Sequence, residues 1–321
     1  MKSPLVCLLG IGLLARWCVP AVLAQSPDPS RLGDATRPLA VPSLLDDPRT
    51  QPTGLSLEEE NVFAPVSPGD EDMGQQLILK EAPKNRWLSA QADTFLYWTD
   101  NPANLSEGGD DDFFWGGRVS VGAQPRLSRN LFGDILVSQQ IYRYDRYDFL
   151  DYEYLEVSAG LIYVEPRLWD SILFVQGYFN RMTADDFSQD IVNSWSVRAG
   201  IQKSFLFDRR NSLHVNLMGD WDVDTDEAAL DRFEYIADLG YAFKIMRDLV
   251  VGASYRFTWF DYREVDRADA LSLVGVNMVW SPRKWIDVYM AASYSFNESD
   301  VDVFDYEAAT VGGGVGVRLR F

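Results

Sequence analysis

From Trp87 onward the chain runs in segments of 10–14 residues whose apolar and polar side chains alternate, a period that confines them to half-buried strands. Leu213–Val223 (LHVNLMGDWDV) is the plainest case. Leu213, Val215, Leu217, Trp221 and Val223 share one side; His214, Asn216, Asp220 and Asp222 share the other. Phe233–Lys244 repeats the pattern, with Phe233, Tyr235, Ala237, Leu239, Tyr241 and Phe243 on one face. The same reading predicts strands near 87–98, 113–124, 131–142, 152–164, 171–180, 191–205, 213–223, 232–244, 249–260, 270–280, 285–296 and 307–321. The first, third and tenth are ambiguous in register.

The connections fall into two alternating kinds. PRLSRN (125–130), EPRLWD (165–170), LFDRRN (206–211), IMRD (245–248) and SPRK (281–284) are short and basic or Pro-marked. TDNPANLSEGGDDD (99–112), RMTADDFSQD (181–190), DTDEAALD (224–231), DYREVDRAD (261–269) and NESDVDVFD (297–305) are longer and mostly acidic. A secreted β-sandwich has no reason to sort its loops by parity, whereas an outer-membrane barrel has tight turns at one end and long loops at the other.

Aromatic placement is a separate test. With strands alternately rising and descending, Trp98, Phe113, Trp115, Phe179, Trp221, Phe233, Trp259 and Phe296 fall at the loop rim of the outward face. Tyr163, Phe205, Tyr241, Phe243, Trp280 and Phe321 fall at the turn rim. Two aromatic girdles flanking Leu, Val and Ala are what bilayer interfaces favour. The expected fold is all-β: a transmembrane antiparallel up-and-down β-barrel of about 12 strands over 87–321. The alternating end VGGGVGVRLRF would be an aggregation hazard as a free edge, so it is expected to pair with the strand beginning near Trp87 and close the ring. Its glycines either keep a pore open or make room for a plug.

That last strand, with Val315, Val317, Leu319 and Phe321 alternating to a final Phe, resembles the C-terminal signature read by the outer-membrane barrel assembly machinery. Residues 87–321 resemble the porin-like barrels of Gram-negative bacteria, and YWTDN (Tyr97–Asn101) is similar to β-barrel porins linked to exopolysaccharide export. The resemblance implies an outer-membrane location, with outer-membrane lipid, lipopolysaccharide and the assembly machinery as partners.

Residues 1–24 read as a signal peptide, with Lys2, an apolar run from Leu5 to Ala15 and a small-residue cleavage site at Val22-Leu23-Ala24. Cys7 and Cys18 both fall inside it, so the mature chain is expected to carry neither disulfide nor thiol chemistry. Residues 25–86, rich in Pro and acids, are expected to be a disordered or loosely structured periplasmic extension. A formal net charge of −19 and a pI near 4.4 argue against a nucleic-acid partner.

Function should be written on the inward face. Arg118, Arg198, Arg256, Arg318 and Arg320 are its cations; Asp93, Asp134, Glu156, Asp220, Asp222, Glu234, Asp238 and Asp287 are its anions. Arg318, Arg320 and Arg118 are expected near Asp93, opposite an acidic group of Asp220, Asp222, Glu234 and Asp238. Such opposed walls would set a transverse field across a narrow pore. The alternative is that the charges pair and fill a closed interior.

Enzyme chemistry is not expected. The one histidine, His214, precedes Val215-Asn216 rather than a nucleophilic Ser, and it suits a lumenal hydrogen-bond network. Asp222-x-Asp224-x-Asp226 starts like an EF-hand but has Glu227 where Gly is needed and Phe233 where the bidentate Glu belongs. Asp110-Asp111-Asp112 reads as solvated surface rather than a metal site, and no cofactor is expected. The leading expectation is a passive porin-like channel for small polar solutes or saccharides. A non-conducting barrel, acting in adhesion or assembly through its acidic loops or N-terminal segment, is the alternative.

Overall fold

In a computed structural model, residues 87–321 are described except for 108, 185, 186 and 188. The expected signal peptide and extension, 1–24 and 25–86, lie outside the described residues. Twelve strands form: β1 Leu88–Thr99, β2 Asp112–Ala123, β3 Leu131–Tyr144, β4 Tyr152–Glu165, β5 Ser171–Ala184, β6 Asp190–Leu206, β7 Asn211–Thr225, β8 Arg232–Met246, β9 Leu249–Tyr262, β10 Ala268–Arg283, β11 Ile286–Ser299 and β12 Tyr306–Arg320. Each pairs antiparallel with its sequence neighbours, and β12 pairs with β1 from Ser89↔Arg320 to Thr99↔Thr310, closing the barrel. The Phe321 N–H extends this ladder by donating to the Leu88 carbonyl (2.9 Å). No edge is left for VGGGVGVRLRF to expose, and a closed ring is the sheet form that satisfies its own backbone in hydrocarbon.

Alternation sets the faces. Outside, Leu96, Val119, Val121, Val137, Val175, Leu217, Leu239, Val274, Val276, Met290 and Val315 form an apolar belt. Phe113, Trp115 and Trp259 border it at the loop end; Tyr163, Phe205, Tyr241, Trp280 and Phe321 border it at the turn end, all exposed. This is the lipid-facing surface of a transmembrane barrel.

The three ambiguous strands are ambiguous for one reason. Their inward parity is also partly apolar: Phe95 and Tyr97 on β1, Phe132 on β3, Leu271 and Leu273 on β10, all buried inside the barrel. Several strands run past their expected ends at the loop side, β3 to Tyr144 and β5 to Ala184, because pairing continues beyond the girdle into polar sequence.

At the turn end the connections are tight, down to 247–248 and 284–285. In the 207–210 turn, Asp208 accepts the N–H groups of Arg210 (2.6 Å) and Asn211 (2.8 Å), which lower its pKa below the ordinary carboxylate value. The loop end includes a sixth connection, 145–151, which shares the acidic character of the others. Three of these loops carry a single 3-10 turn: Asp148–Leu150, Ala228–Leu230 and Asp302–Phe304. Asp112, expected as solvated surface, is instead 2% exposed and clamps the 145–151 loop. Its carboxylate accepts the N–H groups of Phe113 (2.8 Å), Arg146 (3.1 Å) and Tyr147 (3.2 Å).

Candidate functional site

The interior carries the charges in pairs. Residues facing each other across antiparallel strands have Cβ atoms about 4.5–5.5 Å apart, close enough for side chains to meet. Asp93 (β1) lies opposite Arg118 (β2), Arg198 (β6) opposite Asp220 (β7), and Asp238 (β8) opposite Arg256 (β9). Each register pair is an ion pair, at 2.9, 2.6 and 2.5 Å respectively. Arg318 of β12 turns to Asp287 of β11 (2.9 Å). The expected gathering of Arg318 around Asp93 is therefore corrected: Asp93 is served by Arg118 and by Gln91 (3.1 Å). The expected opposed basic and acidic walls are corrected with it. Asp220 and Asp238 each have an arginine on the neighbouring strand, so acid and base alternate along the wall and much of any transverse field cancels locally.

Glu234 pairs with Arg232, two residues away on the same face (2.7 Å), and Asp222 accepts the Arg232 backbone N–H (3.1 Å). Arg320 lies at the turn end of β12 opposite Ser89, on the interior parity. Two arginines were missed in the sequence, Arg232 and Arg267, because they sit at strand starts beside acidic loops. Each belongs to an Arg-x-acid step, Arg232-Phe-Glu234 and Arg267-Ala-Asp269, and that spacing alone puts both charges on one strand face. Arg232 also lies over the Phe260 ring (4.5 Å) and Arg267 over the Phe304 ring (3.5 Å), cation–π contacts that hold the guanidinium groups at the loop-end mouth.

Beside the charges stands an apolar cluster. Phe95, Tyr97, Phe114, Tyr142, Tyr144, Tyr152 and Met182 pack together inside the loop-end half, with Tyr142 and Tyr152 stacked at 4.6 Å. The terminal glycines belong to this packing. Gly314 faces Phe95 on β1 and Tyr289 on β11, and Gly312 faces Tyr97. A Cβ on Gly314 would clash with the Thr94 carbonyl and come within 2.6 Å of the Tyr289 hydroxyl. The glycines thus make room for aromatic side chains of the wall itself.

His214 is held at the turn end between two hydroxyls, Ser204 on Nδ1 (2.8 Å) and Ser212 on Nε2 (3.1 Å). Among the described residues, no group of three or more His, Cys, Asp and Glu side chains is placed to hold a metal. The EF-hand-like acids diverge: Asp222 serves Arg232, and Asp226 accepts from the Asn193 amide (3.0 Å).

Closed ring and apolar outer belt together define a twelve-stranded transmembrane β-barrel. No family model and no curated protein sequence matches the chain. Among solved structures, the COG4313 outer membrane channel from Pseudomonas putida F1 is similar at a TM-score of 0.54 and 13% identity, over 79% of this chain and 100% of that one. The outer membrane channel DcaP of Acinetobacter baumannii (TM-score 0.42, 10% identity, 72% and 96% covered) is more distant. So is the KdgM porin in complex with disordered oligogalacturonate (TM-score 0.38, 10% identity, 71% and 98% covered). The likeness to the first is one of fold.

Proposed function

We propose that this chain is a passive, porin-like channel of the outer membrane for small polar solutes. The observation that carries the reading is that charged interior side chains keep access to solvent although paired: 23% for Arg118, 27% for Arg198 and 30% for Arg318. Ionic groups on the inner wall suit a water-filled lumen, where polar solutes exchange hydration for wall contacts. Saccharides are the finer expectation, since arginine–carboxylate pairs beside aromatic rings offer both hydrogen bonds and stacking. Transport, not catalysis, is the reading: both ring nitrogens of His214 are engaged by serine hydroxyls at the turn end of the barrel. Val315, Val317, Leu319 and Phe321 would serve as the assembly signal, and the acidic loops would lie among lipopolysaccharide head groups.

Proteoliposomes test this by osmotic swelling in sugars of graded size. A channel gives swelling rates that fall with sugar size; rates equal to those of protein-free liposomes contradict it. The aromatic cluster in the loop-end half favours a second reading, a non-conducting barrel that works through its loops or N-terminal segment, and the same absence of swelling would support it.

A further inference from the structure

Among the described interior carboxylates, Glu156 stands apart. Asp93, Asp220, Asp238, Asp269, Asp287 and Glu234 have arginine partners, and Asp134 accepts from Gln124 (2.8 Å) and Gln176 (2.5 Å). Asp112 and Asp222 take backbone N–H groups. Glu156 has neither an ion pair nor a hydrogen bond, although its register neighbours are polar: Ser138 on β3 and Asn180 on β5 lie directly opposite it. Ser158 follows two residues on, on the same interior face.

All three neighbours present oxygen atoms without a partner. Ser138 and Ser158 are 2% and 1% exposed, and their hydroxyls, like the Asn180 side-chain carbonyl, are buried and unsatisfied. An orphaned buried oxygen is costly, and three on residues flanking one carboxylate call for an explanation such as a bound ion. Arg198, the nearby cation, feels the charge of Glu156 but gives its hydrogen bonds elsewhere: it donates Nε (2.9 Å) and Nη2 (2.6 Å) to Asp220 and lies over Tyr178 (4.3 Å).

We propose that Glu156, Ser138, Ser158 and Asn180 form a transit site for a monovalent alkali cation on the β3–β4–β5 wall. The chemistry of the set argues for the class. It is all oxygen, which suits a hard cation, and it holds one carboxylate, fewer than a tight calcium site uses. A single charge with neutral ligands binds weakly enough to release, as conduction requires. Asp134, also unpaired with a cation, lies on the same wall nearer the turn end and provides a second acidic step. The proposal rests on the channel reading and gives it a sign: preference for cations over anions.

Two measurements on the refolded full chain separate the site from the channel. In a planar bilayer with a sodium chloride gradient, the reversal potential should lie on the cation side, and Glu156→Gln should move it towards zero while conductance persists. An unchanged reversal potential in a conducting Glu156→Gln barrel overturns the proposal. A silent bilayer defeats the channel reading by itself, and the site is then judged by sodium-23 line broadening in detergent. Broadening lost in Glu156→Gln supports it; equal broadening in both overturns it. The Ser138→Ala, Ser158→Ala double variant guards against misfolding. It removes two orphaned hydroxyls, so it should keep or raise barrel stability while weakening the sodium effect.

Discussion

The guanidinium of Arg118 donates from Nε (3.0 Å) and Nη2 (2.9 Å) to one carboxylate oxygen of Asp93, its cross-strand neighbour, and so fixes the charge beside the barrel seam. Asp93 keeps 3% of its side chain exposed and Arg118 23%. Breaking a fully buried pair from one side costs ~3–5 kcal/mol, and partial access to water brings Arg118→Ala to about 2–3 kcal/mol. Urea unfolding of the refolded barrel should show that loss, and the Arg118→Ala, Asp93→Ala double variant should lose less than the two single losses summed.

Gly314 should not tolerate a side chain. Gly314→Ala forces the added methyl against the Thr94 carbonyl and the Tyr289 ring, overpacking that costs about 1–3 kcal/mol. Gly117→Ala on the outer face meets nothing nearer than 3.5 Å and should fold as well as the parent. The fraction refolded, read by resistance of unboiled protein to detergent unfolding, distinguishes the two.

The belt makes a depth-dependent prediction. Val119, 60% exposed in mid-strand, faces lipid; Val119→Arg should destabilise the barrel by ~2–4 kcal/mol. Phe113→Arg at the loop rim should cost only ~0–1 kcal/mol from the charge itself. Equal penalties at the two positions in unfolding titrations would contradict the assigned bilayer position.

Asp112 should govern one loop and not the barrel. Asp112→Ala deprives the Arg146 and Tyr147 N–H groups of their acceptor, and hydrogen exchange there should accelerate. Exchange in mid-barrel β2 and β3 should stay as in the parent.

Strand number, face assignment and closure were legible because alternation, loop parity and aromatic position are each local properties of the sequence. The registers of β1, β3 and β10 were not, because Phe95, Tyr97, Phe132, Leu271 and Leu273 put apolar residues on the inward parity too. What those residues do depends on neighbours far away in sequence, as Gly314 shows by receiving Phe95 and Tyr289 from strands on either side. The charges were found but not their partners. Arg318 goes to Asp287 rather than Asp93 although both carboxylates lie opposite Gly316 and so stand diagonally from it; Asp93 is already taken by Arg118, its own register partner. Asp112 shows the same limit: a run of three aspartates looks solvated until the fold places the 145–151 backbone beside its last member.

Single-channel recording in planar bilayers tests the central claim most directly, with the full chain and with residues 25–86 removed. Defined conductance steps, with ion selectivity altered by Arg118→Ala or Arg320→Ala, are the result a passive channel with a charged lumen predicts. Silent bilayers from both folded proteins would contradict it.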